Sequence, residues 1–180
     1  IYIGWRQVYF IYPGFIYLSI SGLVYIKKYF SKKTVIYLSV FLSLYLFSTL
    51  YWVFSNHPHQ YVYFNKFISK DNIKNRFDLD YWGLSYKESL EKIINNDDRK
   101  KIKISNLSSN KLDHPLWFFY KKDRKKFVQT NISEADYLIT NYYLPKKYLD
   151  EDKLKENYII FHDVIVDGFS INRVYKKKIN

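Results

Sequence analysis

From Gln7 to Ile26, and again from Thr34 to Asn56, the chain carries no charged side chain, and apolar residues dominate both runs. After Asn56 the pattern breaks into short alternating or helical stretches separated by charge. Each apolar run, wound as a helix at 1.5 Å per residue, is long enough to cross a hydrocarbon core of roughly 30 Å. The pattern therefore predicts a membrane region over residues 1–56, with two transmembrane helices at about 7–26 and 34–56, joined to a polar domain over 57–180. Trp5, Tyr9, Tyr12, Tyr25, Tyr29, Tyr51 and Trp52 crowd the ends of the runs, as an interfacial aromatic belt requires. Helices buried in a water-soluble core are usually shorter and carry more polar punctuation, which disfavours that alternative.

In the polar half, Ser85 followed by Glu88 predicts a capping box. It opens a helix whose Tyr86, Leu90, Ile93 and Ile94 share one face, ending in Asn95 to Asp98. Lys101 to Ser105 alternates as a strand with Ile102 and Ile104 inward. Pro115 suits the first turn of a short helix through Tyr120, and Phe127–Thr130 and Tyr137–Asn141 read as further strands. Asn157–Val166 and Phe169–Lys176 flank Asp167-Gly168, the preferred two-residue hairpin turn, which would pair Val166 with Phe169 and Val164 with Ile171. The expected fold is two transmembrane α-helices followed by a small α/β domain with a C-terminal β-hairpin.

Charge refines this picture. Lys27, Lys28, Lys32 and Lys33 fall in the short connection between the apolar runs, a strong positive-inside signal that makes the connection cytoplasmic. Gly4–Arg6 and everything from His57 onward then lie on the opposite, periplasmic or lumenal side. The net charge of +12 raises nucleic acid as a partner, yet only five of 29 basic residues are Arg, the residue suited to bidentate base or phosphate recognition. Membrane lipid with anionic head groups fits better than specific nucleic-acid binding. The absence of Cys excludes disulfides and thiolate zinc sites. The first apolar run is too long for a cleaved signal peptide, and the start at Ile1 without Met suggests a fragment of a longer protein.

Five phrases then stand out together: Gly4-Trp5-Arg6-Gln7-Val8-Tyr9-Phe10-Ile11-Tyr12-Pro13; His57-Pro58-His59-Gln60-Tyr61-Val62-Tyr63-Phe64-Asn65; Asp78-Leu79-Asp80-Tyr81-Trp82-Gly83-Leu84-Ser85-Tyr86-Lys87-Glu88; Ala135-Asp136-Tyr137; and Val166-Asp167-Gly168. Their order and spacing resemble the C-terminal region of bacterial polytopic GT-C type membrane glycosyltransferases, relatives of protein O-mannosyltransferases and of the aminoarabinose transferase of lipid A. The resemblance implies transfer of a sugar from a polyprenyl-phosphate donor to an acceptor at the outer face of the inner membrane. It also implies a catalytic base in an early extracytoplasmic loop, upstream of this chain. The family phrase near the start is expected to read Arg-His, whereas here it is Arg6-Gln7.

Arg6, at the outer end of the first run, is a candidate partner for the donor lipid phosphate through paired guanidinium donors; its plainer role is a snorkelling anchor. His57 and His59 are candidate contacts to sugar or metal, although two His without a third ligand favour an interfacial turn. Asp78 and Asp80 suggest paired carboxylates for acid–base work or a divalent cation, with Tyr81 and Trp82 as a platform for a sugar ring; ordinary loop chemistry is the alternative. Asn106-Leu107-Ser108 and Asn131-Ile132-Ser133 match the glycosylation acceptor pattern, accidental in a bacterial setting. No cofactor follows from the residues themselves. A rival of another class is a non-catalytic membrane protein whose outer domain binds a partner or an envelope polymer.

Overall fold

A computed structural model describes residues 9–64, 68–143 and 151–178. Two compact units divide at Ser55 and Asn56. In the first, a 3-10 turn at Tyr9–Ile11 leads into α1 (Tyr12–Tyr29), with Pro13 in its opening turn, followed by α2 (Lys32–Ser55). By length and composition both helices suffice to cross a membrane, and neither buries a residue within the protein. Both helices reach further into the lysine-rich connection than the uncharged runs do. Charge ends an apolar run without ending a helix, because Lys is a good helix former. The break is confined to Phe30, in extended conformation, and Ser31, whose hydroxyl accepts the Thr34 N–H at 3.2 Å and so caps α2.

The second unit contains α3 (Lys70–Arg76), α4 (Tyr86–Asn96), β1 (Ile102–Asn106), α5 (Asp113–Leu116), α6 (Lys121–Arg124), β2 (Phe127–Gln129), β3 (Tyr137–Thr140), α7 (Glu151–Asn157), β4 (Tyr158–Val166) and β5 (Phe169–Lys177). The strands form one sheet in the order β2-β1-β3-β5-β4. β2 and β3 both run parallel to β1 but are staggered along it. β2 pairs with Ile102–Ile104 on one side and β3 with Ile104–Asn106 on the other. The chain therefore needs no long return crossover between β2 and β3: a 3-10 turn at Ile132–Glu134 carries it past β1. β5 and β4 extend the sheet antiparallel.

Alternation along the strands divides the core. Ile102, Ile104, Tyr137, Ile139 and Val174 pack with Tyr86, Leu90 and Ile93 of α4 and with Leu112 and Leu116. Leu138 and Tyr175 pack on the other face, with Leu107, Leu154 and Tyr158. The predicted apolar face of α4 and the inward isoleucines of β1 are thus the centre of the fold.

Three local expectations are corrected. Ser85 does precede α4, but its side chain makes no capping bond and Glu88 does not reach back. Ser85 Oγ instead donates to Asp80, and Glu88 binds His59 at 2.8 Å. The helix at Pro115 stops at Leu116, not Tyr120, and α6 follows it. In the hairpin, Asp167 and Gly168 take positive φ (51° and 83°) and Val166 pairs with Phe169, as expected. Val164, however, faces Asn172 and not Ile171, because the register shifts between Val164 and Ile165. That bulge leaves the consecutive residues Ile171 and Asn172 both buried. It lets Asn172 meet α4, accepting from Ser89 Oγ at 2.8 Å and donating to Ser85 Oγ at 3.0 Å.

The end of α4 is pinned to the sheet through Asp97. Arg99 Nε and Nη2 bind its carboxylate at 2.9 and 2.7 Å, and the Tyr137 hydroxyl donates at 3.0 Å. Arg99 also reaches Asp136 at 3.2 Å. Chiefly through the Arg99 bonds, the Asp97 pKa falls from 3.8 to about 2. A depressed folded pKa stabilises above the unfolded value and loses that contribution as pH falls through the folded one. Acid unfolding should therefore steepen between about pH 4 and pH 2, and Asp97→Asn should flatten that limb; an unchanged slope in the variant would show that Asp97 does not carry it.

Candidate functional site: a cleft at the carboxyl end of β3

Beyond Thr140 the chain leaves the sheet through Asn141, and Tyr142 adopts φ 61°, a left-handed conformation uncommon for a side chain of this size. Such strained positions cluster at binding sites. Beside them stands the start of β5, with Arg173 in register with Thr140. The segment Phe77–Leu79, between α3 and α4, closes a third side. Together they enclose a cleft of about 350 Å³, lined also by Tyr143, Gly168 and Ser170. That volume lies at the lower end of the range for small-molecule sites.

The cleft mixes polar and aromatic groups. Arg173 Nε and Nη2 lie 3.0 and 2.6 Å from Asp163 Oδ2, so its charge is largely matched within the wall. Ser170 Oγ also donates to Asp163, and the Tyr142 hydroxyl lies 3.1 Å from Ser170 Oγ. Burial pushes the Tyr142 pKa up to about 12, so it remains a neutral hydroxyl near neutral pH. Asp78 contributes an exposed carboxylate. At the rim, Tyr143 meets Tyr81 edge-on at 4.8 Å, and Tyr81 meets Trp82 edge-on at 5.0 Å. Trp82 is 67% exposed, leaving ring surface open to a ligand.

The two aspartates part company here. Asp80 is 1% exposed and does not line the cleft. Its carboxylate accepts from Leu84 N–H at 2.9 Å, Ser85 N–H at 3.3 Å, Ser85 Oγ and the Tyr61 hydroxyl at 3.1 Å. Burial raises its pKa, and the bonds from Ser85, Tyr61 and Leu84 pull it back. The same burial, aided by the Asp80 charge, drives the Tyr61 pKa upward and keeps that hydroxyl a donor. Gly83 completes this turn at φ 68°; a Cβ there would lie 2.8 Å from the Tyr86 ring.

His57 and His59 also separate. His57 Nδ1 binds Gln60 at 2.6 Å, while the buried His59 bridges Glu88 at 2.8 Å and Tyr61 at 3.2 Å. Among the described residues no group of three His, Asp or Glu is placed to hold a metal ion. Arg6 and Gln7 lie outside the described residues. Asn106 of the first glycosylation pattern is buried and bonded to the Tyr86 hydroxyl at 2.8 Å. Of the predicted residues, Asp78, Tyr81 and Trp82 thus gather at or beside the cleft.

Asn141, Tyr142, Tyr143, Ser170 and Arg173 were not legible as site residues. An Asn-Tyr-Tyr run after a strand carries no motif, and nothing local signals positive φ at a Tyr. No protein-family model, characterised protein or solved structure matches this chain.

The geometry assigns opposite consequences to the two carboxylates. Asp80→Ala should cost about 3 kcal/mol or more, since it strands buried donors that each cost roughly 1–3 kcal/mol unpaired. Asp78→Asn should stay within about 0.5 kcal/mol, as surface substitutions do. Equal losses in thermal unfolding of the purified chain would dissolve the distinction.

Proposed function

We propose that this chain is the C-terminal part of an integral-membrane glycosyltransferase of the bacterial inner membrane, using a polyprenyl-phosphate sugar as donor. In this reading α1 and α2 span the membrane, the lysine-rich connection is cytoplasmic, and the α/β unit lies on the periplasmic side. The cleft at the carboxyl end of β3 holds a sugar portion of the acceptor, while the base and much of the donor pocket lie upstream. The observation that carries the reading is the composition of that cleft. Aromatic faces pack against the apolar side of a sugar ring, while a carboxylate and neutral hydroxyls serve its hydroxyl groups. Asp78, Ser170 and Tyr142, beside the Tyr81–Trp82–Tyr143 ledge, provide this combination.

The rival is a non-catalytic membrane protein whose outer domain binds a partner or an envelope polymer. Asp80 is held in the fold, so Asp78 and Asp80 do not form an acid–base pair. Both readings use the cleft for binding; sugar transfer by the longer protein separates them.

The cleft is tested by titrating the full chain in lipid vesicles with an array of envelope oligosaccharides. Trp82→Ala and Asp78→Asn should each weaken binding roughly tenfold, the loss expected for one ring contact or one charge-assisted hydrogen bond. Absence of any glycan binding, or binding indifferent to both substitutions, would remove the sugar-site reading. Topology is tested separately with single cysteines at Ser31 and at the exposed Lys92 of α4. An impermeant thiol reagent on intact cells should label only the Lys92 site, and equal labelling at both would overturn the orientation.

A further inference from the structure

We infer that the turn between α5 and α6 is a membrane-docking wedge, which seats the α/β unit on an anionic lipid surface. The inference rests on the reading of α1 and α2 as membrane spans. Leu116 is buried, and Phe119 packs inward against Phe127 at 6.3 Å. Between and after these two anchors, Trp117, Phe118 and Tyr120 are thrown outward, 77%, 72% and 81% exposed. Adjacent large aromatics at such exposure form an apolar patch of the kind that marks a protein or membrane contact.

The turn is preorganised. Trp117 N–H donates to His114 O at 3.1 Å, Phe118 N–H to Pro115 O at 3.3 Å and Phe119 N–H to Leu116 O at 3.2 Å. Asp123 and Arg124 N–H both donate to Tyr120 O at 3.0 Å. The backbone thus holds the rings out without needing to order on contact.

The charge beside the rings decides the occupant. Lys121, Lys122, Arg124, Lys125 and Lys126 follow at once, against the single acid Asp123. Asp123 pairs with Lys126 at 3.9 Å, and Lys101 joins the cluster by donating to Lys125 O at 3.3 Å. Aromatic side chains that settle at head-group depth, beside a dense set of cations, are complementary to an anionic bilayer surface. A sugar-binding role explains neither the concentration of cations nor the three outward rings on one rigid turn. The chain is also tethered to a membrane by its own helices in this reading, so docking is intramolecular and needs little intrinsic affinity.

Because the chain has no Cys, single cysteines carrying an environment-sensitive fluorophore can be placed at Phe118, at Lys92 of α4 and at Ser43 of α2. The full chain is reconstituted in vesicles of equal parts phosphatidylcholine and phosphatidylglycerol, with a nitroxide on the lipid acyl chains as quencher. The Phe118 and Ser43 probes should be quenched and the Lys92 probe should not. Replacing Lys121 and Lys122 by Ala should lower the docked-to-undocked ratio of the Phe118 probe roughly thirtyfold, and pure phosphatidylcholine, which removes the attraction on the whole cluster, should lower it further. A Phe118 probe as unquenched as the Lys92 probe, with Ser43 quenched, overturns the docking while leaving the spans intact. A Phe118 probe that shifts to the blue without quenching also overturns it and points to a protein contact. An unquenched Ser43 probe removes the membrane reading itself and the docking with it.

Discussion

The α/β unit depends on one buried carboxylate. Asp80 accepts hydrogen bonds from the Tyr61 hydroxyl, from the backbone at Leu84 and Ser85, and from the Ser85 hydroxyl. It therefore links the segment that follows α2 to the start of α4. Its backbone carbonyl accepts from Asn141 Nδ2 at 2.7 Å, adding the end of β3 to the same node. A buried charge is tolerated only when its acceptor sites are filled, and here local and distant donors fill them together. Glu88 and His59 add a second bridge between the same two segments.

That node explains why the cleft forms where it does. The turn at Asp80–Gly83 sets the path of Phe77–Leu79 on one side and presents Tyr81 and Trp82 on the other. Asn141, held by Asp80 and at 3.2 Å by Asn110, directs the chain into the left-handed Tyr142. The staggered pairing of β2 and β3 on β1 leaves the carboxyl end of β3 beside the opening of β5, the kind of edge at which α/β sheets bind ligands. A residue of the fold, Asp80, thus positions residues of the site without entering it.

The same division between anchoring and presented side chains recurs at the α5–α6 turn. Leu116 and Phe119 bury against the core, which forces the intervening and following rings outward. Composition alone does not reveal this: the whole chain is rich in Tyr, Phe and Lys, and only packing separates aromatic residues that build the core from those that face the surroundings.

What the sequence determined by itself is what short-range physics writes into it. The uncharged runs define two long apolar helices, since backbone bonding in a helix is local and every side chain there is apolar or neutral. The 3.6-residue spacing of Tyr86, Leu90 and Ile93 and the alternation of Ile102 and Ile104 mark the inward faces of α4 and β1, and Asp-Gly defines the hairpin turn. Tertiary structure alone decided the rest. The capping box was a sound local expectation, yet Asp80 offered Ser85 a buried acceptor and His59 offered Glu88 a partner. The hairpin register slipped by a bulge because Asn172 finds Ser85 and Ser89 across the interface, partners far away in sequence. Asp78 and Asp80, alike in the sequence, diverge because one faces solvent at the cleft and the other meets donors from three segments. Apart from the Ser85–Asp80 bond, which is local, those choices depend on contacts between residues tens of positions apart, which no local pattern encodes.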